Sequence, residues 1–219
     1  MLVTAHTEGS AEGTAGWIAE GIAEGIAAAK DDWRRRLLAA RRALPAQVRA
    51  ARAAALTGGA VTLAAETGGL VCAYLPIGSE PGTSALVEAL HAAGHEVLLP
   101  VVPAGPGALD WARFDGLDAL GAGPLGLREP VGPRLGPAAV TRARLVLVPA
   151  LAADHDGARL GRGGGFYDRT LPLVAPGTAQ VAVLNDDELV ERLPVEPHDR
   201  RVTHALLPDA GLVALGNSG

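Results

Sequence analysis

The residues best suited to chemistry lie in one stretch, Asp154–Arg169, which reads D-H-D-G-A-R-L-G-R-G-G-G-F-Y-D-R. It follows the apolar run 145–152, so we expect a buried strand to end here in a polar loop, with a helix-like segment at 170–174 after it. Glycines at a strand end let the backbone approach a ligand and aim its N–H groups inward, while the guanidinium groups of Arg159 and Arg162 can donate to phosphate oxygens. The stretch therefore predicts an anion-binding loop.

A nucleoside triphosphate with magnesium would use these groups well. Backbone N–H and guanidinium groups bind phosphates, and the carboxylate of Asp168 could lie on or near the metal. The loop is not one of the two common phosphate motifs, because the chain has no G-x-x-x-x-G-K-[ST] and Gly161–Phe166 breaks G-x-G-x-x-G at its last position. The plain alternative is a glycine-rich turn without a chemical role.

Other catalytic classes find little support in the sequence. His155 and His198 match no zinc-ligand spacing and are expected to be surface or supporting histidines. Cys72 lies in an apolar run, and no G-x-S-x-G is present, so nucleophilic hydrolase chemistry is disfavoured.

Lys30 is the only lysine among the 19 Lys and Arg residues of the chain. With Arg34 four residues later, it is typical of a solvated basic face on a helix. Its isolation among arginines also fits a position where a compact ammonium on a flexible stem is needed. Both interpretations stay open at this point.

The composition predicts a globular protein in a reducing compartment. Of the 219 residues 48% are hydrophobic, and no apolar run reaches the length of a membrane span. The net charge of −5 and the supply of only three Trp, two Tyr and two Phe disfavour nucleic-acid binding. The single cysteine cannot form an internal disulfide, and the N-terminus lacks the pattern of a secretory signal. We therefore expect a cytoplasmic protein without nucleic-acid or membrane partners.

The first half of the chain predicts two helices followed by a βαβ unit. The helices are expected from Ala27 to Ala43, where Pro45 ends the first, and from Ala46 to Glu66. The unit consists of a strand at Leu70–Pro76, a helix at Thr83–Ala93 and a strand at Glu96–Val102. Its strands should be parallel, with the loop that contains Glu80 open for a ligand.

The second half of the chain predicts further strands of the same sheet. Residues 103–143 are rich in Pro and Gly and predict a long loop around the sheet, with one edge strand at Leu109–Phe114. Later strands are expected at 180–184, near 189–193 and at 204–207, which would be the last. Because strands and helices alternate, we expect an α/β domain with a mostly parallel sheet covered on both faces. The expected organisation is a frayed leader at 1–27, a single domain at 28–211 and a tail at 212–219.

Taken together, four stretches resemble the 5-formyltetrahydrofolate cyclo-ligase family, whose members are also called methenyltetrahydrofolate synthetases. They are K-D-D-W-R at 30–34 with Arg41, Y-L-P-I-G-S-E-P-G-T at 74–83, V-P-A-L-A followed by R-L-G-R-G-G-G-F-Y-D within 148–168, and L-P-V-E-P-H-D at 193–199. The resemblance covers about residues 28–208, in the family's order. The stretch that ends at residue 168 is the most specific of the four.

The resemblance implies a three-layer α/β/α domain similar to the NagB/RpiA/CoA-transferase-like fold. It also implies an ATP- and Mg²⁺-dependent cyclisation of 5-formyltetrahydrofolate to 5,10-methenyltetrahydrofolate. ATP would phosphorylate the formyl oxygen, N10 would attack the activated carbon, and ADP and phosphate would be released. The expected partners are these two small molecules, and the expected state is a monomer.

The resemblance also implies roles for individual residues. Lys30, Arg162 and Tyr167 would be catalytic, Glu80 and Tyr167 would bind the folate, and Asp168 and Asp199 would hold the metal. The triphosphate would lie against Lys30, Arg34, Arg159, Leu160, Gly161, Arg162, Gly163, Gly164, Gly165, Phe166 and Tyr167.

Two positions depart from the family pattern on the folate side. Leu125 stands where some members carry an aromatic residue, and Glu188 stands where glutamine is frequent. Two other functions remain possible on the sequence: a sugar-phosphate isomerase or acyl-transfer relative with a similar sheet, and a non-catalytic nucleotide- or folate-binding protein. The isomerase or transferase would consume no ATP, and the binding protein would leave its ligands unchanged.

Overall fold

Among the residues that the structure describes, the fold has four α-helices and twelve short strands. A computed structural model describes residues 11–216, with the exception of the side chains of residues 11–20 and of Leu125. The helices are α1 at Ala11–Ala43, α2 at Ala46–Thr67, α3 at Ser84–Ala92 and α4 at Phe166–Thr170. Short 3₁₀ turns occupy 117–119, 124–126, 137–142, 171–173 and 186–188.

The strands form one large sheet and two small ones. They are β1 Leu70–Cys72, β2 Val97–Val101, β3 Asp110–Arg113, β4 Leu120–Ala122, β5 Arg128–Pro130, β6 Ala143–Pro149, β7 Ala152–Asp154, β8 Arg159–Leu160, β9 Ala179–Val183, β10 Leu189–Val190, β11 His204–Leu207 and β12 Gly211–Ala214. The small sheets are β10-β7-β8 and the hairpin β4-β5.

The large sheet has the order β12-β11-β9-β6-β1-β2-β3. Its five inner strands are parallel to one another, and the edge strands β3 and β12 pair antiparallel with β2 and β11. The expectation of an α/β domain with a mostly parallel sheet is therefore confirmed. In such a sheet the loops at the carboxyl ends of the strands lie together, which is where a ligand is expected.

The inner strands are apolar on both faces because each face packs against other elements. Val71, Leu145 and Val183 belong to one core, which α2 and α3 cover. Cys72 and Val146 belong to the other, which includes residues of the turns at 137–142 and 171–173 and packs against the start of α4. Burial raises the pKa of the Cys72 thiol, as expected for a small core residue.

The predicted βαβ unit is present as β1, α3 and β2. The two strands pair in parallel, with Val71 opposite Val97. Thr83 precedes the first residue of α3, and Gly94 has a φ of 86°, which a glycine adopts after a helix end without strain. The first helix ends before Pro45, as predicted.

Helix α1 begins earlier than the sequence indicated. The prediction placed its start at Ala27, but the helix runs from Ala11, through the segment expected to be a frayed leader. Gly21 and Gly25 each cost about 1 kcal/mol relative to alanine, and the alanines around them are strong helix formers. The expectation for residues 1–10 lies outside the described residues.

Three further element predictions were wrong in detail. The loop predicted at 103–143 contains the hairpin β4–β5, and His204–Leu207 is followed by one more strand, β12, which pairs with it. The stretch 154–169 is not a single loop, because β7 and β8 pair within it and α4 already begins at Phe166. Glycine and proline content marks turns correctly but does not exclude short strands between them.

Helix α1 lies beside the small sheet β10-β7-β8 and is held there by packing and by one buried ion pair. Leu37 is buried in a cluster with Ala152, Leu160 and Leu193. Arg41 donates from Nε and Nη2 to the two carboxylate oxygens of Glu188, at 2.6 and 2.8 Å, and from Nη2 to the carbonyl of Ala150.

We expect Arg41→Met to lower the free energy of unfolding by about 3–5 kcal/mol, because the carboxylate of Glu188 is then buried without its partner. Urea unfolding followed by circular dichroism measures this loss. Arg52→Met is the matched control, since Arg52 binds Asp187 in the same turn but the carboxylate is exposed, and we expect a loss below about 1 kcal/mol. Equal losses in the two variants would show that the buried pair contributes no more to the free energy of unfolding than the exposed pair does.

Candidate functional site

A pocket of about 550 Å³ opens at the carboxyl ends of the inner strands. Its floor includes Tyr74 after β1, Pro100 of β2 and Pro149 at the end of β6. Around this floor lie parts of α1, the β1–α3 loop, the β4–β5 hairpin, the segment from β8 to α4, and the turn at 196–199. Its position is the one that parallel α/β sheets commonly use for ligands.

All residues that the sequence assigned to the site line this pocket. They are Lys30, Arg34, Glu80, Arg159, Leu160, Gly161, Arg162, Gly163, Gly164, Gly165, Phe166, Tyr167, Asp168 and Asp199. Their individual roles stay predictions, but residues far apart in sequence do share one cavity.

The glycine-rich loop between β8 and α4 has a backbone that requires glycine at two places. Gly163 has a φ of 102° and Gly165 a φ of 65°, both in the left-handed region that other residues rarely adopt. The loop is also anchored by arginines on either side: Arg34 donates from Nε to the carbonyl of Gly161, and Arg169 donates to the carbonyl of Gly164. A loop fixed in this way keeps its backbone N–H groups in a defined arrangement, which anion binding needs.

Lys30 is not part of a solvated basic face. Its ammonium group lies 2.6 Å from a carboxylate oxygen of Glu196 and 2.6 Å from one of Asp199, and its side chain is 6% exposed. Arg41 of the same helix is buried as well, so the interpretation of Lys30 as part of a solvated basic face was wrong. Lys30 and Arg41 point inward and meet acids of the domain there, whereas Arg35 and Arg36 are exposed.

Arg159 and Asp168 form a second ion pair in the pocket wall. Arg159 donates from Nη2 to Asp168 at 2.9 Å, and its guanidinium carbon lies 5.8 Å from the centre of the Tyr167 ring. Asp168 also accepts the backbone N–H of Arg200 at 3.3 Å. One oxygen of the predicted metal ligand Asp168 therefore already has two donors.

Glu80 lies in the loop after β1, and its side chain is 8% exposed. It accepts the backbone N–H of Ile77 at 3.0 Å and lies 3.5 Å from Arg162. Burial raises the pKa of the Glu80 carboxyl, and the N–H of Ile77 and the charge of Arg162 oppose this only in part. Burial, followed by the charge of Glu80, also raises the pKa of Tyr167, so this phenol stays protonated at neutral pH.

Among the described residues, the side chains arranged to hold a metal ion are Glu196, His198 and Asp199, whose ligand atoms lie within 4.8 Å of one another. Asp168 is not in this group, so the predicted pair of Asp168 and Asp199 stays a prediction. Glu196 and His198 stand beside Asp199 in the motif P-V-E-P-H-D, but only Asp199 was predicted as a metal ligand.

The two departures on the folate side have different outcomes. Glu188 does not line the pocket but forms the buried pair with Arg41, and it also accepts the backbone N–H of Asn185. Its carboxylate therefore has a structural role. The side chain of Leu125 lies outside the described residues.

A further residue that the sequence analysis missed is Glu129 of β5, which is buried and lines the pocket. It accepts the backbone N–H of Val102 at 2.8 Å and so ties the β4–β5 hairpin to the end of β2.

The described part of the chain contains no helix with the length and apolar character needed to cross a membrane.

Known proteins resemble this chain in sequence and in fold. A profile of the 5-formyltetrahydrofolate cyclo-ligase family matches residues 26–208. A 5-formyltetrahydrofolate cyclo-ligase of Mycolicibacterium smegmatis is 47% identical over 191 residues, covering 85% of this chain and 97% of the relative. One of Escherichia coli K12 is 37% identical over 131 residues, covering 59% of this chain and 72% of the relative.

Two solved structures have a similar fold. The 5,10-methenyltetrahydrofolate synthetase of Aquifex aeolicus has a TM-score of 0.66 at 26% identity, over 87% of this chain and 94% of its own. The protein of that name from Mycoplasma pneumoniae has a TM-score of 0.62 at 18% identity, over 79% and 94%. The family profile, the identity to curated members and the shared fold lead to one conclusion: this chain belongs to the 5-formyltetrahydrofolate cyclo-ligase family.

Proposed function

We propose that this protein is an enzyme that cyclises 5-formyltetrahydrofolate to 5,10-methenyltetrahydrofolate, with consumption of ATP and with Mg²⁺ as its cofactor. The observation that carries the proposal is a single pocket that combines a fixed glycine-rich loop, several arginines and a buried carboxyl group. The first two suit a triphosphate, and the third suits the polar edge of a pterin ring.

The charge of the pocket supports a role for a divalent cation. Five side-chain cations and five carboxyl groups line it: Lys30, Arg34, Arg128, Arg159 and Arg162, against Glu80, Glu129, Asp168, Glu196 and Asp199. Because these groups nearly balance, the pocket has little spare positive charge for a triphosphate. Mg²⁺ prefers carboxylate oxygens and substrate phosphates, and when bound it would supply that charge. The carboxylates of Glu196 and Asp199 fit such an ion, since they already enclose the ammonium of Lys30.

For this reaction the protein must hold two substrates and neutralise the negative charge of the phosphate groups. The formyl oxygen attacks the γ-phosphorus as the bond to ADP breaks, N10 then bonds to the formyl carbon and loses its proton, and the carbon–oxygen bond breaks to release phosphate. Arginine and backbone N–H groups of the 159–166 segment would stabilise the charge that develops on the phosphoryl oxygens. The main contribution of the pocket is orientation of the formyl oxygen towards the phosphorus.

The buried carboxyl of Glu80 is suited to hold the pterin. A carboxyl group with a raised pKa gains when a ring N–H or amino group approaches, because the new donor replaces the water that burial removed. The charge of Glu80 helps to raise the pKa of Tyr167, so the two side chains are near each other. The ring of Tyr167 would also contact the folate. The folate would then lie between these two residues and the glycine-rich loop.

The proposed function is tested by following methenyl absorbance and ADP release with 5-formyltetrahydrofolate and Mg-ATP. We expect both products to appear in equal amounts and neither to appear when one substrate or Mg²⁺ is omitted. Product formed without ATP consumption would favour an isomerase-like or transferase-like enzyme. Binding of both ligands without product would favour a binding protein.

We expect Gly163→Ala to weaken ATP binding about tenfold or more while 5-formyltetrahydrofolate binding changes little. The reason is that a φ of 102° is unfavourable for alanine, so the loop must change shape. Titration calorimetry with each ligand separates the two effects. Gly58→Ala is the control, because a Cβ at this helical position meets nothing within 4 Å. Unchanged ATP affinity in Gly163→Ala would mean that the loop is a turn without a role in nucleotide binding.

Glu80→Gln is expected to weaken folate binding and at the same time to stabilise the free protein at neutral and higher pH. Below the usual glutamate pKa of about 4.3 the carboxyl is protonated in both the folded and the unfolded state, so it causes no pH-dependent difference. As the pH rises towards the raised folded-state pKa, only the unfolded state loses its proton readily, and the wild-type protein loses stability. Thermal unfolding between about pH 4 and pH 8 should show a difference in Tm between variant and wild type that grows with pH. A constant difference would contradict this assignment.

A further inference from the structure

The ammonium group of Lys30 has two carboxylate partners in the pocket wall. Glu196 and Asp199 each lie 2.6 Å from Nζ, and the Lys30 side chain is 6% exposed. A phosphate oxygen that binds this ammonium group must share it with two carboxylates or displace one of them. The cluster also carries one positive and two negative charges, and it therefore repels a polyanion.

The two carboxylates are held unequally. Asp199 accepts the backbone N–H of Glu196 at 2.7 Å through the same oxygen that binds Lys30, so it is tied to its own turn. The Glu196 carboxylate has Lys30 as its one close partner among the described residues, since His198 lies 3.9 Å away. It is also the more exposed of the two, at 23% against 14%. Glu196 is therefore the partner that Lys30 can leave at the lower cost.

We propose that Glu196 is an internal competitor of the nucleotide: it holds Lys30 in a closed position, and the incoming triphosphate takes the ammonium group from it. The inference rests on the proposed function, because it requires Lys30 to bind the phosphates of ATP. Glu196 is thus a positioning residue that acts through Lys30 and sets the cost of nucleotide entry. Its carboxylate offsets the charge of the buried ammonium group.

The first test measures the Kd of the full chain for ATP by titration calorimetry, with EDTA in place of Mg²⁺ and without folate, because Glu196 is also one of the acids that fit the metal ion. Glu196→Gln keeps the size of the side chain and removes its charge, and we expect it to tighten ATP binding about fivefold. In a Lys30→Met background the same change should tighten binding less than about twofold, because no ammonium group is left to compete for. Glu129→Gln is the control, because it removes a carboxylate of the pocket that does not contact Lys30. The gain in ATP affinity from Glu196→Gln must exceed the gain from Glu129→Gln.

The second test does not depend on nucleotide binding. Because Lys30 is the only lysine, reductive methylation of side-chain amines labels this residue alone, and mass spectrometry distinguishes it from the N-terminus. We expect Glu196→Gln to speed the labelling of Lys30 about threefold or more, since its charge partner is gone. Thermal unfolding of each variant verifies that it is folded.

The outcomes separate the two proposals. Weaker ATP binding in Glu196→Gln would overturn the competition and show that Glu196 presents Lys30 to the phosphate. An equal gain in affinity with and without Lys30 would also overturn it and show that Glu196 only repels the phosphate. Unchanged labelling of Lys30 would overturn the closed position itself. If the wild-type protein binds no ATP while the labelling rate rises as expected, the proposed function fails and the competition with a nucleotide fails with it, although the closed position of Lys30 stands.

Discussion

Helix α1 supplies Lys30 and Arg34 to the pocket. It lies outside the central sheet, so contacts of its own must fix its position. Lys30 and Arg41 are separated by about three helical turns and therefore face the same side. Lys30 meets the turn at 196–199, and Arg41 meets Glu188 of another turn. Leu37 packs between these two pairs, and together the three contacts fix the rotation of the helix about its axis and its position along that axis. The geometry of the pocket depends on this docking more than on any single strand.

The same acids that stabilise the buried cations also limit what the pocket can bind. Each buried or half-buried cation in the wall has an acidic partner: Lys30 has Glu196 and Asp199, and Arg159 has Asp168. Such pairing lowers the cost of burying charge in the absence of ligand. It also means that a polyanionic ligand must replace partners that are already present. In this pocket, stability of the free protein and affinity for phosphate oppose each other.

The sequence was informative where one pattern dictates one structure. Apolar runs bounded by glycine and proline located the parallel strands, and the cluster of glycine and arginine located the pocket wall, because the carboxyl ends of parallel strands meet at one edge. Short strands such as β12 and the hairpin β4–β5 were missed, since three or four residues carry too little periodicity.

The partners of the buried charged residues could not be predicted from the sequence either. Glu188 was interpreted as a position on the folate side, whereas it binds Arg41, 147 residues away. Glu196 was overlooked because an acid between two prolines is typical of an exposed loop, and its contact with Lys30 spans 166 residues. Local pattern cannot reveal such pairs, because only the packing of α1 on the domain brings them together.

The burial of Cys72 has a consequence for the redox chemistry of the chain. The only thiol lies in the inner strand β1, with its pKa raised by burial, so the folded protein presents no thiolate to oxidants, alkylating agents or other thiols. Disulfide-linked dimers and sulfenic acid formation therefore require the sheet to open first. The thiol becomes reactive only in molecules that have opened around β1, which makes Cys72 a built-in reporter of the opening of the core.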